Sequence, residues 1–265
     1  MRMPVYYISH GGGPWPWMPE AKERYAILTA ALQDIPQQLP RKPKAIVMVS
    51  AHWESDGGFL IMGNEKPPMY YDYYNFPPHT YEVQYPAPGS PELAQRIAQL
   101  LNTAGLPCAI DSQRGFDHGT FVPLAMMYPD ADIPVVQVSL ETHFDPALHL
   151  ALGRALEPLR DDDILIIGSG LSYHNLREIR TVGSAPSAQF DAWLQDVVVK
   201  GSVDDRSERL KRWETAPAAR RAHPREDHLL PLMVAVGAAE TETATCVHHE
   251  VTAFANITAS SFRFG

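Results

Sequence analysis

The chain has little sulfur chemistry to offer. Its two cysteines, Cys108 and Cys246, form no CxxC pair and no zinc-ribbon spacing, and a reducing, cytoplasmic setting is the expectation. Positive charge is also short: 22 Lys and Arg stand against 31 Asp and Glu, a net charge of −9. Such a chain has no general attraction for nucleic acid or for anionic membrane, so neither is expected as a partner. No apolar run approaches the roughly 18 residues that span a bilayer, and residues 1–10 hold no apolar core of signal-peptide length, so a soluble protein is expected. No Gly/Ser linker, charge block or repeat divides the 265 residues, and one domain over 1–265 is expected. The one Arg-rich stretch, 206–225, is read as a solvated helix face.

What the chain does have is alternation. Short apolar runs at 5–9, 45–50, 59–62, 134–140 and 164–167 predict strands, and 246–262 supplies one or two more. Helical patterns occupy 20–34, 91–104, 146–159, 188–200 and 229–239, with Ser90 and Asp145 as caps ahead of Pro91 and Pro146. Strands separated by helices predict an α/β fold around a mostly parallel or mixed sheet flanked by helices. In such sheets, ligands bind beyond the carboxyl ends of the strands.

Histidines sit at that place. His10 precedes Gly11-Gly12-Gly13, which let the backbone turn sharply and leave the ring in a cleft. His52 ends a strand behind the small residues Ser50 and Ala51, and His118 lies between Gly115 and Gly119 in what reads as a loop. His174 follows a strand by a short Gly/Ser turn and precedes Asn175, which can fix a loop through backbone hydrogen bonds. In His223-Pro224-Arg225-Glu226-Asp227-His228, Pro231 suits a first helical turn, placing His228 at the helix start. His228 is the choice there, with Glu226 in reserve. Neutral imidazole is the commonest protein metal ligand and a ready proton carrier near neutral pH. Histidines converging from distant strand ends make this a candidate metalloenzyme.

Other features are bland. His248 and His249 alternate with valines as a half-exposed strand would, and His79, His143 and His149 have no supporting pattern. Ser169 lacks a full G-x-S-x-G elbow, which argues against a serine hydrolase. Residues 67–91 carry seven aromatics among prolines. They form either an ordered lid over a pocket or an aromatic satellite core.

The ordered set of motifs resembles the class III extradiol ring-cleaving dioxygenases, the superfamily of the protocatechuate 4,5-dioxygenase catalytic subunit, in its DOPA 4,5-dioxygenase-like branch. The matching pieces are the His10-Gly turn, Ser50-Ala51-His52-Trp53, the Tyr85-Pro86-Ala87-Pro88-Gly89 run, and Gly115-Phe116-Asp117-His118-Gly119. His174-Asn175-Leu176 and His228-Leu229-Leu230-Pro231 complete the set. The resemblance implies a non-haem Fe(II) site that opens a catechol-type aromatic diol with molecular oxygen. It implies His10 and His52 as metal ligands, and His228 where other branches place a glutamate. His174 matches the base and a further contact to the resting metal. His118 matches a second active-site histidine toward substrate or oxygen. The loop 70–85 would pack on the ring, with Tyr73 and Tyr85 as substrate contacts.

A third imidazole in place of a carboxylate departs from the usual two-histidine, one-carboxylate iron site. The exchange makes the site more zinc-like, so Zn(II) is expected to compete for it in purified protein. Two alternatives follow: a zinc hydrolase using His174 or Glu226 as base, and a non-catalytic metal-binding signalling protein of the same superfamily.

Overall fold

Alternate residues of the apolar runs turn to opposite faces of one sheet, and both faces find a cover. The computed structural model describes residues 2–179 and 184–265, with 254 and 255 by backbone alone. Its strands are β1 (Val5–Ser9), β2 (Ala45–Ser55), β3 (Phe59–Met62), β4 (Cys108–Asp111), β5 (Val135–Glu141), β6 (Ile164–Gly170), β7 (Ala244–Thr252) and β8 (Ile257–Phe264). Among the described residues they form one eight-stranded sheet in the order β4-β3-β5-β2-β6-β1-β8-β7. The central strands β5, β2, β6 and β1 are mutually parallel. β3 joins β5 antiparallel on one side, and β8 joins β1 antiparallel on the other, so the sheet is mixed.

Val5, Tyr7, Val47, Val49 and Ile166 pack into one cluster, and Tyr6, Ile8, Ile46, Met48 and Ile167 into another. This is the period of two that a strand imposes, with both sides apolar because both are covered. The helices are α1 (Ala26–Asp34), α2 (Pro91–Thr103), α3 (His118–Met127), α4 (Pro146–Leu156), α5 (Ser184–Leu194), α6 (Val203–Lys211), α7 (Ala219–Ala222) and α8 (Leu230–Gly237). Helices α2, α4, α5 and α8 cover the first cluster through residues such as Ile97, Leu150, Phe190 and Met233. α1 and α3 cover the second through Leu28, Leu32, Phe121 and Leu124. Ser90 and Asp145 cap α2 and α4 as expected, each side chain accepting from a backbone N–H of the first turn.

Several elements depart from the sequence pattern. Residues 20–34 divide into a 3₁₀ turn at Pro19–Ala21 and α1. The 188–200 pattern begins earlier, at Ser184, and ends as a π-helical turn over Gln195–Lys200. His118 opens a helix rather than projecting from a loop. Every turn of α3 is largely buried, so it carries no polar stripe by which to be recognised. Strand β4 is half exposed and only four residues long. The Arg-rich stretch is not simply a solvated face. Arg206 on α6 is 2% exposed, donates to the Glu242 carbonyl oxygen at 2.9 Å and lies over the Phe264 ring.

The carboxyl ends of β1, β2, β5 and β6 share one edge of the sheet, and α8 starts at the same edge. Leu171 N, just past β6, donates to the His228 carbonyl oxygen at 3.2 Å, and the buried Tyr7 hydroxyl donates to that oxygen at 2.9 Å. The segment ahead of α8 is thereby held against the ends of β1 and β6.

Candidate metal centre

His10 leaves β1 with its N–H bonded to the Gly170 carbonyl oxygen at 3.2 Å. The chain then turns through Gly11 at φ 81°, where a Cβ would lie 2.3 Å from Trp15 Nε1, whose N–H donates to the His10 carbonyl oxygen. Only glycine fits that turn. His52 lies where the pairing of β2 with β5 slips, between Val49 and Glu54. A bulge of this kind re-aims side chains at a sheet rim. Gly119 passes close behind: a Cβ there would come within 2.5 Å of Ser50 Oγ and 3.1 Å of His52 Cδ2.

These placements bring His10, His52 and His228 together, one ring nitrogen of each within 4.8 Å of the others. His52 Nε2 is 3.2 Å from His10 Nε2 and 3.2 Å from His228 Nε2. The opposite nitrogens are all engaged. His10 Nδ1 is 3.1 Å from Ser169 Oγ, whose proton goes to the Gly119 carbonyl oxygen at 2.5 Å, so the imidazole is the donor to Ser169. His228 Nδ1 is 2.5 Å from Asp227 Oδ2, and His52 Nδ1 faces Asp72 Oδ2 at 3.2 Å. With protons on all three Nδ1 atoms, three bare Nε2 lone pairs point at one another. That arrangement is repulsive unless a cation lies among them.

The fit to a divalent metal can be checked by distance. Bonds of about 2.1 Å meeting at about 90–109° separate two imidazole nitrogens by roughly 3.0–3.4 Å, and the two measured separations fall in that range. Burial, reinforced by the neighbouring imidazoles, holds the pKa of each of the three rings well below the ordinary histidine value. They are neutral near pH 7, as ligands must be.

Two further histidines complete the site, and each shares a carboxylate with one of the three. His118 Nδ1 contacts Asp72 at 2.8 and 2.9 Å, while its backbone N–H donates to the same carboxylate at 3.0 Å, at the start of α3. Its ring centroid lies 4.0 Å from that of His52. His174 stacks on His228 at 3.4 Å with 12° between planes, and its Nδ1 is 3.9 Å from Asp227 Oδ2. Burial, with a contribution from His118, lowers its pKa to about 4. The Asp227 carboxyl is raised to about 6, first by burial, with Arg225 opposing. Asn175 pins the turn, donating to the Arg221 carbonyl oxygen at 2.8 Å and accepting from Arg177 N at 3.1 Å.

Beneath His52 lies a buried network. Asp117 accepts from Ser50 Oγ, Arg114 and Gln137, each at 2.7 Å, and Arg114 also donates to the His52 carbonyl oxygen at 3.1 Å. Asp117 therefore serves the backbone of His52, and Asp72 orients the His118 ring. Glu226, held in reserve on sequence, pairs instead with Arg220 at 2.6 Å. Tyr73 lies edge-on to His118 at 5.9 Å, its hydroxyl donated to the Thr80 carbonyl oxygen. Tyr85, expected at the substrate, is 3% exposed, with its hydroxyl on the Tyr128 carbonyl oxygen and its ring against Phe116. Those are a core residue's contacts, away from the histidine cluster's open side chains.

Sequence reasoning missed Asp72 and Asp227. Asp72 is the one acid inside a run of four tyrosines, and a charge in an otherwise aromatic loop is a signal for a buried partner. Asp227 reads on sequence as part of the loop ahead of His228, with no pattern to single it out. Adjacent side chains diverge in regular elements, but here they meet because the segment ahead of α8 is irregular.

An α/β domain with an imidazole-lined centre at its strand ends is matched over residues 4–265 by the family described as the catalytic LigB subunit of aromatic ring-opening dioxygenase. The chain belongs to that family and is an extradiol aromatic ring-cleaving dioxygenase. It is 42% identical to a 4,5-DOPA dioxygenase extradiol of Beta vulgaris, over 92% of this chain and 90% of that one. It is 38% identical to the protein of the same name from Escherichia coli K12, over 89% and 85%. A solved structure of an uncharacterized E. coli K12 protein superposes with a TM-score of 0.79 at 32% identity, covering the whole of both chains.

Proposed function

We propose that the chain opens the ring of a catechol bearing an amino-acid side chain, 3,4-dihydroxyphenylalanine or a close analogue, at Fe(II) held by His10, His52 and His228. The observation that carries this reading is the convergence of three bare Nε2 atoms whose opposite nitrogens are all engaged. The substrate follows the names of the relatives. When bound, Fe(II) supplies the redox coupling that lets triplet oxygen react with a closed-shell catechol.

The remaining roles belong to the protein. His174 is neutral at physiological pH and partly open to solvent, so it is free to accept a catechol proton and give it back later in the turnover. Asp227 stands near enough to stabilise the imidazolium formed in between. His118, its Nδ1 fixed by Asp72, keeps Nε2 for the substrate or oxygen. Tyr73 backs His118 and excludes water from that side. Asp72→Asn keeps the shape of this anchor and removes its charge. Divalent metal affinity is expected to fall about 10–100-fold, as read by competition titration with a chelating dye. Unchanged affinity would mean that Asp72 orients His118 alone.

The test of function is anaerobic loading with Fe(II), addition of the catechol, and then admission of oxygen. A yellow ring-opened product and stoichiometric oxygen uptake are expected. Zn(II) suits three imidazoles equally well but has no redox chemistry, so zinc-loaded protein should take up no oxygen. Catechol turnover in the absence of oxygen, or none with iron and oxygen present, would sink the proposal.

A further inference from the structure

We infer that Glu54 and Arg225 form the subsite that receives the charged side chain of an amino-acid catechol, the carboxylate on Arg225 and the ammonium on Glu54. The inference rests on the function proposed above and names the groups that select its substrate. His52 and Glu54 are both partly exposed at the carboxyl end of β2, whereas Trp53 between them is buried in the second core cluster. Residues two apart on an extended chain are about 7 Å apart. The diol oxygens of such a catechol lie about 7–8 Å from its ammonium and carboxylate by ordinary bond lengths. A ring whose diol sits at the three histidines therefore carries its side chain to the level of Glu54.

Arg225 comes to the same place from the segment that ends in His228. Its two terminal nitrogens each lie 2.5 Å from a Glu54 oxygen, and its guanidinium rests 4.4 Å over the Phe144 ring. The Arg225 side chain is 53% exposed and that of Glu54 26%, so the pair faces solvent on its outer side. A guanidinium has five N–H donors and a carboxylate four acceptor positions. Two contacts between them leave donors and acceptors for a zwitterion without breaking the pair. Among the described residues, three other charged groups around the centre are committed elsewhere. Arg114 serves Asp117 and the His52 carbonyl, Asp72 serves two histidines, and Arg220 pairs with Glu214 and Glu226.

The experiment measures dissociation constants of the Fe(II)-loaded full chain without oxygen, then kcat/KM with it. The four probes are 3,4-dihydroxyphenylalanine, dopamine, 3-(3,4-dihydroxyphenyl)propionate and 4-methylcatechol. Arg225→Gln is expected to weaken the two carboxylates about tenfold relative to the other two, the worth of one charge-assisted contact, with the loss in KM rather than kcat. Glu54→Gln should do the same for the two ammonium compounds, and Arg225→Lys should restore much of the carboxylate preference. An equal change across all four probes in both variants would overturn the inference, leaving the pair as a clasp on the segment before His228. Discrimination among the probes that persists anaerobically, with no ring opening on oxygen, would sink the proposed function and leave the subsite standing.

Discussion

His52→Ala is expected to yield a folded protein that no longer retains metal. His52 Nε2 is the nitrogen found within 3.2 Å of both other bare imidazole nitrogens. Without it, the two remaining donors come from separate segments with nothing at the corner between them. Losing an orienting partner of a ligand typically costs about 10–100-fold in metal affinity, and losing the ligand itself should cost at least about 100-fold. The fold should survive, because the backbone at residue 52 is held independently of the ring. Its N–H donates to Ser50 Oγ at 3.2 Å and its carbonyl accepts from Arg114 at 3.1 Å. Metal analysis after dialysis, alongside circular dichroism, is the measurement. A fully loaded variant would contradict the ligand assignment, and an unloaded, folded one with ring opening at background would bear it out.

Much of the architecture was legible because it rests on periodicity. The central strands are apolar on both faces, and Ser90-Pro91 and Asp145-Pro146 announce helices by capping chemistry. What was not legible has physical reasons. Helix α3 is buried on all sides and contains Pro123, so neither amphipathicity nor propensity marks it. Strand β4 is a short rim strand, paired among the described residues with β3 alone, and its residues carry little apolar signal.

The histidines of the site could be picked out because each stands beside glycines, small residues, a strand end or, for His228, a helix start. Their supports could not: Asp72 comes from elsewhere in the fold, and Asp227 meets the neighbouring His228 ring only because the segment ahead of α8 is irregular. Asp72 reaches His118 across 46 residues of chain. Its loop, within 67–91, is built on aromatic packing. Tyr73, Phe76 and Tyr81 pack on one another and on the second core cluster, so the loop is an aromatic satellite core. That packing is also what fixes Asp72 at the site.

His174→Ala should have the opposite signature to His52→Ala: metal retained and turnover lost. The ring lies stacked on His228 and is outside the trio His10, His52 and His228 whose ring nitrogens gather. Its removal leaves His10, His52 and His228 and their anchoring partners in place. What disappears is the proton acceptor. Burial keeps that imidazole neutral, ready to take a proton, and its low pKa makes the protonated form a strong enough acid to return it. Proton transfer by a positioned side chain is worth about 10²–10⁴-fold, and kcat should fall by that amount. Anaerobic catechol affinity should change far less, since the ring moves a proton and anchors no charged group of the substrate. The backbone turn should hold, because His174 N donates to the Ala222 carbonyl oxygen at 2.9 Å and Asn175 is tied to Arg221. Metal content, anaerobic dissociation constant and kcat measured on one preparation separate the possibilities. Undiminished ring opening removes the base assignment. Loss of metal along with activity would instead make His174 a further ligand beside His228.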